Sequence, residues 1–213
     1  MSGLDELVRV MHRLRAECAW DREQTHASLV PYLLEESAEL IDAIETDDVE
    51  GMREELGDVL YQVLFHADIA AAEEGFDISD VASATAEKMR RRHPHVFGNS
   101  TASTPEEITA QWAEVKRQEK ATRTSVLDGI PSGMPALARA AKILGRAEEA
   151  GVVSAEDAPV LPFATEDELG ALLLAVVLAA RARGLDAERA LRVTLRGLED
   201  EIRAAERGRD ERP

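Results

Sequence analysis

An all-α helical bundle is the fold this 213-residue sequence predicts, and three observations predict it. Apolar residues recur at helical spacing almost throughout, with no sustained strand-like alternation. Ala, Leu, Glu and Arg dominate the composition and favour helices, while aromatic residues at 4% leave a β-sandwich short of core material. Helix ends are also marked. Thr104-Pro105-Glu106-Glu107 joins an N-cap, a proline in the first helical position and a capping-box glutamate. Thr165-Glu166-Asp167-Glu168 repeats the box, and Gly75 and Gly184 stand where helices stop.

In chain order the pattern predicts a helix over 4–15, a loop bearing Trp20, and helices over 26–45, 48–74, 78–92, 105–121, 135–150, 166–183 and 186–207. His93-Pro94 ends one of them, because the residue before a proline is pushed out of the α region. The longest loops fall at 93–104, 122–134 and 151–164. A chain of this length buries one good core and a small satellite. The expected division is a main helical domain over 1–121, a connecting loop and helix over 122–150, and an appendage over 151–213.

A formal net charge of −17 repels nucleic acid and anionic membranes, so a phosphate-bearing ligand needs a local basic cluster or a cation. Cys18 is alone, which excludes an internal disulfide and a cysteine-rich zinc site and fits a reducing compartment. The start of the sequence shows no signal-peptide core, and the apolar run 169–180 is too short to span a bilayer. Cytoplasmic location, with no membrane and no nucleic-acid partner, is the expectation.

Two segments carry acids in matching arrangement, Glu35-Glu36-Ser37-Ala38-Glu39 and Glu55-Leu56-Gly57-Asp58. At ~100° per residue, Leu33, Ser37, Leu40 and Ile44 form one stripe, and Met52, Leu56, Val59 and Val63 another. Glu36 and Glu39 flank the first as Glu55 and Asp58 flank the second. Antiparallel packing through those stripes brings four carboxylates to one edge. Such a group needs protons or a cation, and hard oxygen ligands suit Mg²⁺ or Mn²⁺. A solvated acidic face is the competing reading. Gly57 costs a helix interior about 1 kcal/mol relative to alanine, which points to close helix approach or room for a bound ligand.

The basic complement is sparse. Lys88-Met89-Arg90-Arg91-Arg92 is the densest cationic run, and its place at a helix C-terminus is equally explained by the helix dipole. Trp112 and Lys116 lie one turn apart, offering a stacking surface and a phosphate contact, or else a core edge and a solvated charge. Trp20 covers a base or plugs the core. His26 is a substrate contact or a structural histidine, and His93 and His95 read as loop architecture.

In this order and spacing, these pieces resemble the MazG family of all-α nucleoside triphosphate pyrophosphatases over residues 4–144. The matching residues are Trp20-Asp21 with Gln24-Thr25-His26, Tyr32-Leu33-Leu34-Glu35-Glu36, Glu55-Leu56-Gly57-Asp58, Gln62-Val63, His93-Pro94-His95-Val96-Phe97, Trp112 with Lys116, and Leu127-Asp128-Gly129-Ile130-Pro131. The resemblance implies an Mg²⁺-dependent hydrolase that splits an NTP or dNTP into monophosphate and pyrophosphate, broad in specificity and homodimeric. It assigns the metal to Glu36, Glu39, Glu55 and Asp58, and an accessory catalytic role to Glu35. It points to Lys88, Arg92, Trp112 and Lys116 for the substrate, and Arg91, Trp20 and His26 join them as substrate candidates on their own residue chemistry. Ala19 departs from the proline usual in the family.

An internal repeat is also legible. Residues 167–171 align with 54–58, and 190–201 with 81–92. Ala171 stands at the position of Asp58, Gly197 at that of Lys88, and Glu199, Asp200 and Glu201 at those of Arg90, Arg91 and Arg92. The appendage reads as a shortened second copy without chemistry, kept for packing or dimerisation. Two rivals remain. A di-iron bundle requires Glu-x-x-His twice, but only Glu23-Gln24-Thr25-His26 occurs. A non-catalytic acidic partner protein predicts no Mg²⁺ dependence.

Overall fold

The structure is a computed structural model that describes residues 2–119, 123–154 and 158–210, and among these there is no strand. Ten helices follow in order: α1 Gly3–Glu17, α2 Ala19–Glu23, α3 His26–Glu45, α4 Val49–Glu73, α5 Ile78–Arg92, α6 Pro94–Phe97, α7 Pro105–Glu119, α8 Ala136–Glu149, α9 Glu166–Ala182 and α10 Ala187–Asp210. The long helices agree with the sequence pattern to within three residues. Positions 120 and 121 of the helix expected over 105–121 lie outside the described residues, as do 122 and 155–157 of the expected loops.

Two expectations are corrected. Trp20 sits on the single helical turn α2 and not in a loop, and the loop expected over 93–104 contains α6. Both helices are too short to show an apolar period. Pro94 starts α6 from the first helical position, where its missing N–H costs nothing.

The chain divides into two compact units, 1–118 and 119–213. In the first, α3 and α4 form a helical hairpin through a tight turn in which Asp47 adopts φ 55°. Asp48 caps α4 by accepting from the Gly51 N–H at 3.1 Å. A Cβ at Gly51 would stand 2.5 Å from Asp48 Oδ2, so a side chain there would push the capping carboxylate aside. Met11, Leu29, Leu64, Phe65 and Ile69 form the core, with α1 laid over the later half of α4.

The helix faces that meet are rotated from the expected stripes. Ile44, Leu56 and Val63 are 52%, 53% and 40% exposed, so they do not lie in the hairpin seam. Leu33, Ser37, Leu40, Met52 and Val59 of the expected stripes are partly buried, and Leu29, Glu36 and Ala43 on α3 with Glu55 and Gln62 on α4 join them in place of the exposed three. This rotation carries Glu36 and Glu55 inward.

In the second unit α8 and α10 share a core of Leu127, Ala136, Ile143, Ala147, Leu195 and Ile202. Buried polar groups fix its register. Arg139 pairs with Glu199 at 2.6 Å, the Glu206 carboxylate accepts from the Ser125 hydroxyl (2.7 Å) and the Val126 N–H (2.8 Å), and Arg146 donates to the carbonyls of Val126 and Asp128. The segment 123–150 thus packs with α10 in this unit. No helix among the described residues is long and apolar enough to cross a membrane, in line with the reading of the run 169–180.

Candidate metal and nucleotide site

The hairpin brings three of the four expected ligands together. One carboxylate oxygen each from Glu36, Glu39 and Glu55 lies within 4.8 Å of the others. Glu36 and Glu55 are half-buried in the seam, Glu39 is exposed, and Glu55 Oε2 is buried with no hydrogen-bond partner. Asp58 and Glu35 stand exposed around them.

Electrostatics reports the strain of this grouping. Burial, followed by the charges of Asp58, Glu39, Glu55 and Glu35, holds the Glu36 carboxyl above its ordinary range. Burial, followed by Glu39, Asp58 and Glu54, does the same to Glu55. Asp58 is therefore close enough to act on both. An orphaned buried carboxylate oxygen among like charges is poorly satisfied without a counterion, and an all-oxygen set of this kind fits a hard divalent cation. Gly57 has no atom within 4 Å of where its Cβ would stand, so close helix approach within the chain does not explain it. The open space beside the carboxylates is the alternative left.

The cationic candidates gather on α5 and α7. Lys116 Nζ lies 4.4 Å from the centre of the Trp112 ring and the Arg92 guanidinium 5.7 Å from it, so the indole faces two cations. Lys88 is half-buried one turn before Arg92, while Arg91 pairs with Glu87 at 3.5 Å.

Trp20 is 48% exposed and meets the edges of Tyr32 and Phe65 at centroid distances of 5.8 and 6.5 Å. Tyr32 lies one helical turn before Glu36, which brings an aromatic edge next to the carboxylates. Beneath it the Tyr61 hydroxyl donates to Oδ1 of buried Asp21 at 3.2 Å. Burial first, then the Asp21 charge, pushes the Tyr61 hydroxyl up to about 12.

His26 is not brought to the carboxylates. It lies ten residues before Glu36 on α3, ~15 Å along the helix axis. Its Nδ1 is 2.7 Å from Nδ1 of His66, and its buried Nε2 is 3.7 Å from a Glu74 oxygen. His93 turns Nδ1 to the Met89 carbonyl at 2.7 Å, a structural role. Sequence reasoning passed over Tyr32, as an aromatic neighbour of the acids, and His66. The step 55, 59, 62, 66 along the α4 seam was the signal that places His66 on the same face as Glu55.

Comparison with known proteins agrees with this geometry. The family model described as the MazG nucleotide pyrophosphohydrolase domain matches residues 24–97, a span that contains all the carboxylates and the basic run. An uncharacterised 26.1 kDa protein of Streptomyces cacaoi is 47% identical over 94% of this chain and 81% of its own length. The nucleoside triphosphate pyrophosphohydrolase of Escherichia coli K12 is 39% identical over 97% of this chain and 88% of its own. The nucleoside triphosphate pyrophosphohydrolase/pyrophosphatase MazG of Thermotoga maritima is 41% identical over 90% and 81%. With relatives of this identity matching almost end to end, and with the carboxylates converging on one seam, the chain belongs to the MazG nucleotide pyrophosphohydrolase family.

Proposed function

We propose that the protein is a nucleoside triphosphate pyrophosphohydrolase that converts an NTP or dNTP and water to the monophosphate and pyrophosphate, with Mg²⁺ held by Glu36, Glu39, Glu55 and Asp58. The observation that carries the proposal is the convergence of Glu36, Glu39 and Glu55, with Oε2 of Glu55 buried and unpartnered. The names of the Escherichia coli and Thermotoga maritima relatives support the reaction. Mn²⁺ fits the same oxygen set.

When bound, the cation supplies Lewis-acid polarisation of phosphoryl oxygens and a more acidic water. The protein's own groups do the rest. Glu35, exposed beside Glu36, orients the attacking water and takes its proton. Lys88, Arg91, Arg92 and Lys116 neutralise the triphosphate, with Trp112 holding Arg92 and Lys116 side by side. Trp20, edge-on to Tyr32, offers the base an aromatic surface, and His26 lies at that end of the hairpin.

We assign the active form to a homodimer built on α3 and α4. Leu34, Ile41 and Ile44 on α3, with Val49, Leu56, Leu60 and Val63 on α4, leave an apolar face uncovered on each helix. Residues 151–213 serve packing or dimerisation and not catalysis. Glu199, which stands where the repeat would have Arg90, is committed to Arg139.

Purified protein incubated with a panel of NTPs and dNTPs, with and without Mg²⁺, tests the reaction by separating pyrophosphate from orthophosphate. Mg²⁺-dependent monophosphate plus pyrophosphate is the expected result. Orthophosphate release, or no turnover of any nucleotide, overturns it.

A further inference from the structure

The two imidazoles of His26 and His66 are half-exposed on the first turn of α3 and the later half of α4. Their ring planes differ by 1° and their centroids stand 5.0 Å apart, while the Nδ1 atoms are only 2.7 Å apart. Rings stacked face to face cannot combine those values. Two rings lying in one plane and meeting nitrogen to nitrogen give them, because the ring radii add to the N···N distance. A contact of 2.7 Å between two nitrogens is a hydrogen bond only if one proton, and no more, lies between them.

The surroundings decide how the pair is charged. Glu74, at the C-cap of α4, places a carboxylate oxygen 3.7 Å from the buried Nε2 of His26. Of the other ionisable groups on the packed elements, Arg22, Glu23 and Glu73 are exposed to solvent, and several are committed elsewhere. His12 and Arg15 of α1 turn to Asp68, Asp21 of α2 accepts from Tyr61, and Asp77 and Asp80 close the cap of α5. Among the described residues Glu74 is the charged group in ion-pair range of the two histidines.

We propose that His26 and His66 form a one-proton latch: a single proton bridges their Nδ1 atoms, Glu74 balances the pair from the Nε2 side of His26, and a second proton at the bridge parts the rings. One imidazolium and one neutral imidazole satisfy the bridge. Two imidazolium ions put two N–H groups and two positive charges against each other. In keeping with this, burial and then the His26 charge hold His66 below the ordinary histidine range.

The latch ties the start of α3 to α4. His26 is the first residue of α3 after the Thr25 cap, and the Gln24 side chain donates to the Trp20 carbonyl at 3.0 Å. Parting the rings frees this corner and with it the Trp20 surface. Through the latch, acid therefore acts on the base end of the hairpin.

The test is nitrogen-15 NMR of the full-length protein between pH 8 and 5. The latch predicts a coupling between the two Nδ1 nuclei through the hydrogen bond near pH 7.5. It predicts two macroscopic titrations separated by about one pH unit or more, where uncoupled imidazoles titrate together near about 6.5. The coupling and the backbone signals of residues 24–28 should change with the second step. A His66→Phe variant, which keeps a ring but no bridge, should lose the pH dependence of those backbone signals. Absence of the coupling in wild-type protein, or coincident titrations with residues 24–28 unmoved, overturns the proposal whether or not the variant folds. Neither readout depends on nucleotide turnover.

Discussion

Glu55 is a poor residue for stability and a good one for holding a cation. Its Oε2 is buried without a partner, and its carboxyl, like that of Glu36, is held above the ordinary range. A carboxyl whose pKa is raised on folding contributes stability that is complete below its unfolded value and is lost as pH rises through the folded one. The metal-free protein should therefore lose stability from these two groups as pH climbs out of the acid range, and divalent cation should restore it. Glu55→Gln removes the charge and keeps the shape. Its thermal midpoint in chelator at pH 7.5 should equal or exceed that of wild type, and added Mg²⁺ should raise it little, whereas the wild-type midpoint should rise and fall back on chelation. Glu39→Ala, at an exposed position, should leave the fold intact and lower turnover at least about 100-fold, the cost of removing one group that stabilises the reacting charge. The acid pairs were legible in the sequence because an i, i+3 spacing fixes which side chains share a helix face. The His26–His66 contact was not, since pairing residues forty apart depends on the register of the hairpin.

At the scale of elements, the long helices were readable because their ends are spelled out by caps. The Thr165–Glu168 box forms as written, and Gly75 and Gly184 take φ of 81° and 68°. What periodicity left open was which apolar face meets the rest of the chain. Ile44, Leu56 and Val63 recur at helical spacing as regularly as the seam residues, yet they are exposed within one chain. An apolar face left open and a face kept for the core look the same in sequence. In the second unit the core between α8 and α10 makes a direct prediction. Leu195→Ala or Ile202→Ala should cost about 2–5 kcal/mol in the unfolding of that unit by denaturant. Arg139→Ala, which leaves Glu199 without its partner in a mostly buried site, should cost about 3–5 kcal/mol.

For the whole molecule, a net charge of −17 opposes self-association, so the uncharged stripes on α3 and α4 are the surfaces through which two copies approach most readily. If the proposed homodimer forms through these stripes, wild type should sediment as a dimer, and Leu34→Glu together with Leu60→Glu should convert it to monomer while the helix content by circular dichroism stays unchanged. An unaltered sedimentation coefficient would place the dimer contact elsewhere. The overall charge also explains how the basic groups Lys88, Arg92 and Lys116 could be picked out from sequence, since cations cluster in few places in so acidic a chain. On the proposed function, the seam carboxylates and a divalent cation together drive release of pyrophosphate. Phosphorus-31 NMR of ATP with wild-type protein and Glu55→Gln, each in Mg²⁺ and in chelator, tests it most directly. AMP and pyrophosphate should form with wild type in Mg²⁺ alone; equal turnover by Glu55→Gln, or turnover that survives the chelator, refutes a carboxylate-held cation.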